Sequence, residues 1–156
     1  KNDKANPKMR NQIRWENVIY QDGNCEAIAR TNGKVVARHK IVTVGKAVAL
    51  KAVADNSDWK ADGMDLQHIR IIAVDSKGRR VPNAVAEVKV NVVGDAQLVA
   101  MSNGNINSDE LNVTDHQSLF NGSCLAILRS GVASSPVVVN ISAPGLKAAK
   151  LKLATK

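Results

Sequence analysis

Aromatic residues are scarce in this chain of 156 residues, at 3% of the sequence, with two tryptophans, one tyrosine and one phenylalanine. Proteins that bind single-stranded nucleic acids stack bases on aromatic side chains, and this chain offers few such rings. Its net charge of +8 alone would favour a nucleic-acid partner. The cations are scattered, however, over positions expected on the outer faces of strands, where they oppose edge-to-edge aggregation. The sequence therefore predicts a solvated basic surface and no nucleic-acid partner.

Cysteine is also scarce, with only Cys25 and Cys124, about 100 positions apart. This spacing matches no metal-binding motif, and His39, His68 and His116 have no second ligand at a suitable spacing. Because no glycine-rich nucleotide motif or Gly-x-Ser-x-Gly nucleophile motif occurs either, neither metal nor cofactor is predicted. Both cysteines lie in alternating apolar runs and are interpreted as small buried side chains with free thiols. A disulfide is the alternative in an exported protein, but the two cysteines fall in different predicted units.

Long apolar runs are absent as well, and none approaches the roughly 20 residues that a membrane span needs, so no membrane partner is predicted. No segment keeps the apolar spacing of a long helix. Gly, Asn, Ser and Asp instead recur roughly every 8–12 residues, as turns between short strands do. The predicted fold class is therefore all-β. With no signal peptide at its start, the chain is interpreted as a piece of a longer protein in which Lys1 is not the native N-terminus.

Residues 59–84, WKADGMDLQHIRIIAVDSKGRRVPNA, show the strand pattern most clearly. Gly63 supplies the positive φ that a tight turn needs. Residues 66–75 then alternate apolar and polar side chains with the period of a half-buried strand. Pro82 has no N–H to donate to a neighbouring strand, which is typical of a sheet edge. The pattern is typical of a β-sandwich and contains no group suited to catalysis.

The chain divides into three predicted parts. Residues 1–12 are polar and are interpreted as a linker or disordered arm. Residues 13–46 contain three strands, two of them joined at the hairpin signal Asn32-Gly33, and need another sheet or domain to cover them. Residues 47–154 are long enough for an immunoglobulin-like antiparallel β-sandwich, with a long loop crossing between the sheets at 107–118. Strands are predicted at 13–20, 25–30, 35–44, 48–54, 66–75, 87–93, 97–100, 119–130, 137–142 and 147–153.

Four motifs follow one another after residue 60: ADG, VDSKGRRVPNA, VVGDAQLVAMSNGN and LFNGSCLAILRSG. Their order and spacing resemble the C-terminal β-sandwich module of glycoside hydrolase family 2 enzymes of the β-galactosidase type. Upstream, WENVIYQDGNCEAIARTNGKVVARHKIVTVGK is similar to the last strands of the β-sandwich domain that precedes that module. One departure is Asp22, at a turn position where the family often has proline. The resemblance covers nearly all of residues 13–154.

The resemblance implies a non-catalytic accessory module of a longer glycosidase, packed against other domains of its parent chain. Enzymes of that family carry two catalytic glutamates on an upstream TIM barrel, and retaining hydrolysis needs carboxyl groups about 5–5.5 Å apart. Glu16, Glu26, Glu87 and Glu110 match no family motif for that pair, so no catalytic residue is carried over. The resemblance also implies a periplasmic or extracellular location for the parent enzyme.

Two alternatives stay open: a carbohydrate-binding module, and an immunoglobulin-like stalk or adhesion domain of a surface protein. Residues 102–109, SNGNINSD, form an amide-rich loop of the kind that binds sugar hydroxyls, although no aromatic residue lies close to it in sequence. The weak ligand candidates are Trp59, Asn103 and Asn105, with carbohydrate as the implied partner. The competing interpretation is that the asparagines stabilise their own turns and that Trp59 closes one end of the core.

Overall fold

The computed structural model describes residues 16–156, which form ten strands and no helix, so none of the described segments is a helix able to cross a membrane. The described residues form two compact units, which divide between residues 43 and 44. The first unit contains β1 (Asn24–Thr31) and β2 (Lys34–Val42). The second contains β3 (Ala49–Ala54), β4 (Leu66–Val74), β5 (Glu87–Val93), β6 (Ala96–Ser102), β7 (His116–Ser118), β8 (Ser123–Ser130), β9 (Pro136–Ala143) and β10 (Leu146–Ala154).

The first unit is a β-hairpin in which β1 and β2 pair antiparallel. Asn32 and Gly33 connect them with φ values of +49° and +78°, because a two-residue hairpin turn of this type needs positive φ at both positions. The predicted hairpin is therefore confirmed. All residues of both strands are exposed, as expected of a two-stranded ribbon that cannot bury a face of its own.

Two predictions for this unit are wrong. The strand predicted at 13–20 is irregular over residues 16–20, because Asn17 adopts a φ of +59° that no extended strand accommodates. Its residues 13–15 lie outside the described residues, as does the arm predicted at 1–12. The sequence predicts a buried Cys25, but this residue is exposed on β1, because a two-stranded hairpin cannot bury a face of its own. Cys124, in the other unit, is buried as predicted, and both cysteines are free thiols.

The second unit is a β-sandwich whose eight strands follow the order β6-β8-β4-β3-β10-β9-β5-β7. All neighbouring strands pair antiparallel except β3 and β10, which run parallel and share a single register pair, Ala49 and Lys147. This narrow contact joins two four-stranded layers, and the strands β6 and β7 form the two free edges. The predicted all-β sandwich is confirmed, with one parallel pair that the sequence did not indicate.

The core lies between the two layers and follows from strand alternation. On β4 and β8 every second side chain is buried, and the same holds for β9. Aliphatic side chains from both layers therefore meet in a shared core, as the low aromatic content requires. The most deeply buried of them are Ile69, Ile71, Ala73, Val88, Val90, Ala126, Leu128, Val137, Val139 and Ile141.

Residues 103–115, hereafter the crossing loop, connect the edge strand β6 to the edge strand β7. The backbone N–H of Met101 donates to the carbonyl of Asn112 at 2.8 Å, and that of Val90 donates to the carbonyl of Asp115 at 2.8 Å. The loop is thus tied to both layers. The predicted crossing loop at 107–118 is confirmed up to residue 115 but is wrong at residues 116–118, which form β7 against β5.

A glycine turn shortens another predicted strand. The strand predicted at 119–130 begins only at Ser123, because Asn121 and Gly122 have φ values of +50° and +69° and form a turn. The backbone N–H of Ala73 donates to the carbonyl of Gly122 at 3.0 Å. This turn therefore lies directly against the end of β4.

Candidate functional site

The ligand candidates from the sequence lie at opposite ends of the same layer. Strands β4 and β6 both pair antiparallel with β8, so they run in the same direction. Trp59 precedes β4, whereas Asn103 and Asn105 follow β6. The structure brings the two asparagines together and separates them from the tryptophan.

The side chain of Trp59 is part of the core, with only 1% of the residue exposed. Its indole N–H donates to the carbonyl of Asp65 at 3.0 Å, and its own carbonyl accepts from the backbone N–H of Lys156 at 2.9 Å. A platform for a sugar needs an exposed ring face, which this ring does not present. Trp59 closes the end of the core where β4 begins.

The crossing loop lines a half-open pocket of about 220 Å³ next to the asparagines. Ligand pockets usually measure about 300–1,000 Å³, so this volume suits a smaller guest than a sugar chain. Glu110 also lines a second hollow, of about 170 Å³. The lining of the first is amide-rich and without aromatic rings: Ser102, Asn103, Gly104, Asn105, Ile106, Ser108, Glu110, Asn112 and Gln117.

The carboxylate of Glu110 is the centre of this loop. Its Oε2 accepts hydrogen bonds from Asn103 Nδ2 at 3.1 Å, Ser108 Oγ at 3.1 Å and Gln117 Nε2 at 2.9 Å. Its Oε1 accepts from the backbone N–H of Ser118 at 3.0 Å. Hydrogen bonds from Ser118 first, and then from Ser108 and Gln117, hold the pKa of Glu110 below its ordinary value against the opposing effect of burial.

The asparagine side chains serve the same loop. Asn103 Nδ2 also donates to the carbonyl of Ser118 at 2.9 Å, and its Oδ1 accepts from the backbone N–H of Asn105 at 2.9 Å. The Oδ1 of Asn105 in turn accepts from the backbone N–H of Asn107 at 3.1 Å. These side-chain-to-backbone bonds are the local turns that asparagine favours. We therefore interpret Asn103 and Asn105 as parts of a network, centred on Glu110, that fixes the crossing loop.

Gln117 forms the floor of the network and is 1% exposed. Its amide nitrogen is bonded to Glu110, whereas no group within residues 16–156 donates to its amide oxygen. Sequence reasoning missed Gln117 and the role of Glu110. A signal existed only in the alternation of residues 116–118, and it was weak because the inward residue is polar.

Two other sets of charged groups stand out in the second unit. The side chain of Asp75 is 1% exposed and accepts from Arg79 Nη2 at 2.6 Å and from the backbone N–H of Gly45 at 3.0 Å, so the guanidinium above all holds its pKa well below the usual range. His116 Nδ1 lies 2.9 Å from Asp115 Oδ1, which raises the pKa of His116. Across the described part of the chain, no group of three or more His, Cys, Asp or Glu could hold a metal ion.

The Glu110 network predicts a pH-dependent stability. We expect Glu110→Gln to lower the free energy of unfolding of residues 44–156 by about 2 kcal/mol at pH 7, because an amide cannot accept the charge-assisted bonds that the carboxylate accepts. The folded-state pKa lies below the ordinary value of 4.5, so this contribution is complete above pH 4.5 and is lost as the pH falls below it. Urea unfolding of both proteins over that pH range measures the difference.

The matched control for this experiment is Asp109→Asn, which removes the same charge from the exposed neighbouring residue. It should change the free energy of unfolding by less than about 0.5 kcal/mol. Equal losses from the two substitutions would mean that charge alone, and not the hydrogen-bond network, holds the loop.

Comparison with known proteins places this fold in a family. The profile of the glycoside hydrolase family 2 C-terminal domain 5 matches residues 50–152, and that of a domain of unknown function (DUF4982) matches residues 1–37. A Bacteroides ovatus protein named Beta-galactosidase BoGH2A is 31% identical over 92% of this chain and 17% of its own length. A Formosa agariphila protein named Beta-glucuronidase is 28% identical over 92% of this chain and 15% of its own length.

A solved structure gives the same result. The crystal structure of a glycosyl hydrolase family 2 member from Bacteroides cellulosilyticus is 30% identical, with a TM-score of 0.90 over 95% of this chain and 20% of that one. The chain thus spans about a sixth of the length of the curated relatives it matches. Since the first profile covers residues 50–152, about two thirds of the sequence, the chain belongs to the glycoside hydrolase family 2 C-terminal domain 5 family.

Proposed function

We propose that residues 44–156 are a non-catalytic accessory domain that supports domain packing in a longer family 2 glycosidase. The observation that carries this proposal is the state of two carboxylates that are not fully exposed, the buried Asp75 and the half-buried Glu110. Both are held by several hydrogen bonds to their own neighbours, and both have lowered pKa values. A glycosidase needs the opposite in one carboxyl group, a raised pKa that keeps the general acid protonated.

The geometry also weighs against the two alternatives. A carbohydrate-binding module needs unoccupied polar groups beside an exposed ring, whereas Asn103 and Asn105 bond to their own loop and Trp59 is buried. A stalk or adhesion domain of an unrelated surface protein is not supported by the family to which the chain belongs. The accessory role is the function that the site supports best.

We propose a related role for the hairpin of the first unit, as the terminal strands of a preceding β-sandwich domain. Aliphatic side chains on β2 are largely exposed, with Val36 at 62% and Ile41 at 61%. A ribbon of two strands is not stable alone in water and needs a further sheet against its apolar side chains. The match of residues 1–37 to a second family profile supports a separate domain here.

The accessory role is tested with the parent enzyme and with this chain. The chain alone should not hydrolyse chromogenic β-galactosides or β-glucuronides, the substrate classes that its relatives' names suggest. Deleting residues 44–156 from the parent should lower its melting temperature while its active-site chemistry, measured at low temperature, persists. Turnover by the isolated chain, or a truncated parent as stable as the intact one, would overturn the proposal.

We also propose that the parent enzyme is periplasmic or extracellular, as the family resemblance implies. Fractionation of cells expressing the natural full-length protein tests this. Recovery in the periplasm or the medium is the expected result, and recovery only in the cytoplasm would contradict it.

A further inference from the structure

Three aliphatic side chains of the crossing loop are almost wholly exposed. Ile106 is 96% exposed, Val113 is 83% exposed and Leu111 is 76% exposed. Ile106 lines the first hollow, Leu111 and Val113 line the second, and Glu110 lines both. Exposed aliphatic residues that are grouped on one loop mark an interaction surface more often than isolated ones do.

The loop that carries these side chains is held in place by the rest of the domain. Backbone hydrogen bonds tie Asn112 to β6 and Asp115 to β5. Glu110 accepts four further bonds, two from inside the loop and two from residues of β7. A loop that is already ordered loses little conformational entropy when a partner binds. The backbone that carries the three side chains is therefore already fixed before a partner binds.

The charge of the crossing loop differs from that of the whole chain. Residues 103–115 contain Asp109, Glu110 and Asp115 and no Lys or Arg, within a chain of net charge +8. Glu110 is bonded inside the loop and Asp115 pairs with Lys89 at 3.3 Å, whereas Asp109 is exposed. A complementary partner surface has an aliphatic centre with Lys or Arg at its border.

We propose that the crossing loop is the docking surface for another domain of the same parent polypeptide. The surface of that domain that contacts the loop is aliphatic at its centre and carries Lys or Arg at its border. This inference rests on the proposed accessory function and specifies the surface through which it acts. The curated relatives are about six times as long as the matched segment, so most of the parent chain lies outside these residues. Two crossing loops from separate copies would instead bring together two acidic segments that contain no Lys or Arg, so neither loop supplies the basic border that the other needs.

Hydroxyl-radical footprinting tests the surface directly. In the full-length parent, Ile106, Leu111 and Val113 should be oxidised several-fold more slowly than in the 156-residue chain. Val132, which is 79% exposed on the turn after β8, is the internal control and should react at the same rate in both. Equal rates for the loop residues, or protection that increases with protein concentration and so indicates a second copy, would overturn the proposal.

A pair of variants separates this inference from the accessory function itself. The loop variant combines Leu111→Asp with Val113→Asp, and the control variant is Val132→Asp. Both should leave the isolated chain as stable as the unmodified one, since all three side chains are exposed. In the parent, only the loop variant should lower the melting temperature, toward that of the truncated enzyme. If truncation destabilises the parent but the loop variant matches the control, the docking surface is wrong and the accessory function stands.

Discussion

Gly122→Ala should destabilise residues 44–156 far more than the same change at a positive-φ glycine whose new methyl group would meet no other atom. Gly122 has a φ of +69°, and a Cβ atom there would overlap the carbonyl oxygen of Val81. The obstacle is backbone held in place, because the N–H of Val81 donates to the carbonyl of Ala73 at 2.9 Å. A side chain could rotate away from the new methyl group, whereas this hydrogen-bonded backbone segment cannot.

Gly145→Ala is the matched control for this substitution. Gly145 has a φ of +72°, and nothing lies within 4 Å of the position that its new methyl group would occupy, so alanine there meets only the backbone strain, about 1–2 kcal/mol. We expect Gly122→Ala to lose more than about 4 kcal/mol, since steric overlap in a packed structure adds to the same strain. Urea unfolding measures both, and similar losses would show that the Gly122 turn is free to move.

Trp59→Ala should have the second largest effect, a loss of about 3–5 kcal/mol in the free energy of unfolding, as is typical for a large aromatic side chain removed from a core. The residue is 1% exposed, and its indole N–H bonds to the carbonyl of Asp65. The change removes the largest side chain at that end of the core and one of the two hydrogen bonds to the carbonyl of Asp65, which keeps only its bond from the backbone N–H of Ser130. Thermal and urea unfolding give the size of the loss.

Trp59→Phe divides that effect into two parts. Phenylalanine keeps an apolar ring but cannot donate to Asp65, so we expect a smaller loss, about 1–3 kcal/mol. Both variants should be compared with the unmodified chain in affinity gels containing soluble polysaccharides. A variant that loses polysaccharide retention while keeping full stability would contradict the assignment of Trp59 to the core.

Local sequence signals were sufficient where one residue decides the backbone geometry. Asn32-Gly33 predicted the hairpin because few other pairs accept positive φ at both positions, and the structure confirms it. The same signal occurs at Asn121-Gly122, inside the strand predicted at 119–130, and the structure has a turn there. Strand β7 was missed for a different reason, because its inward residue is the polar Gln117 and no apolar alternation marks it.

The candidate site could be predicted only in part. The amide-rich composition of residues 102–109 singled out Asn103 and Asn105, and the structure places both beside a pocket. Their role depends on Glu110, whose donors are separated from it by up to eight residues on either side and meet only when the crossing loop closes. No local pattern in the sequence records that closure.

The amino-acid sequence by itself determined the all-β class, because alternation of apolar side chains and regular glycine turns are properties of short segments. Its motifs also identified the family, since they occur in a fixed order along the chain. Only the tertiary structure decided which polar groups have hydrogen-bond partners and which aliphatic side chains remain exposed to solvent. Those outcomes depend on contacts between distant residues, such as Glu110 with Asn103 and Gln117, and burial is a property of the assembled layers and not of any single segment.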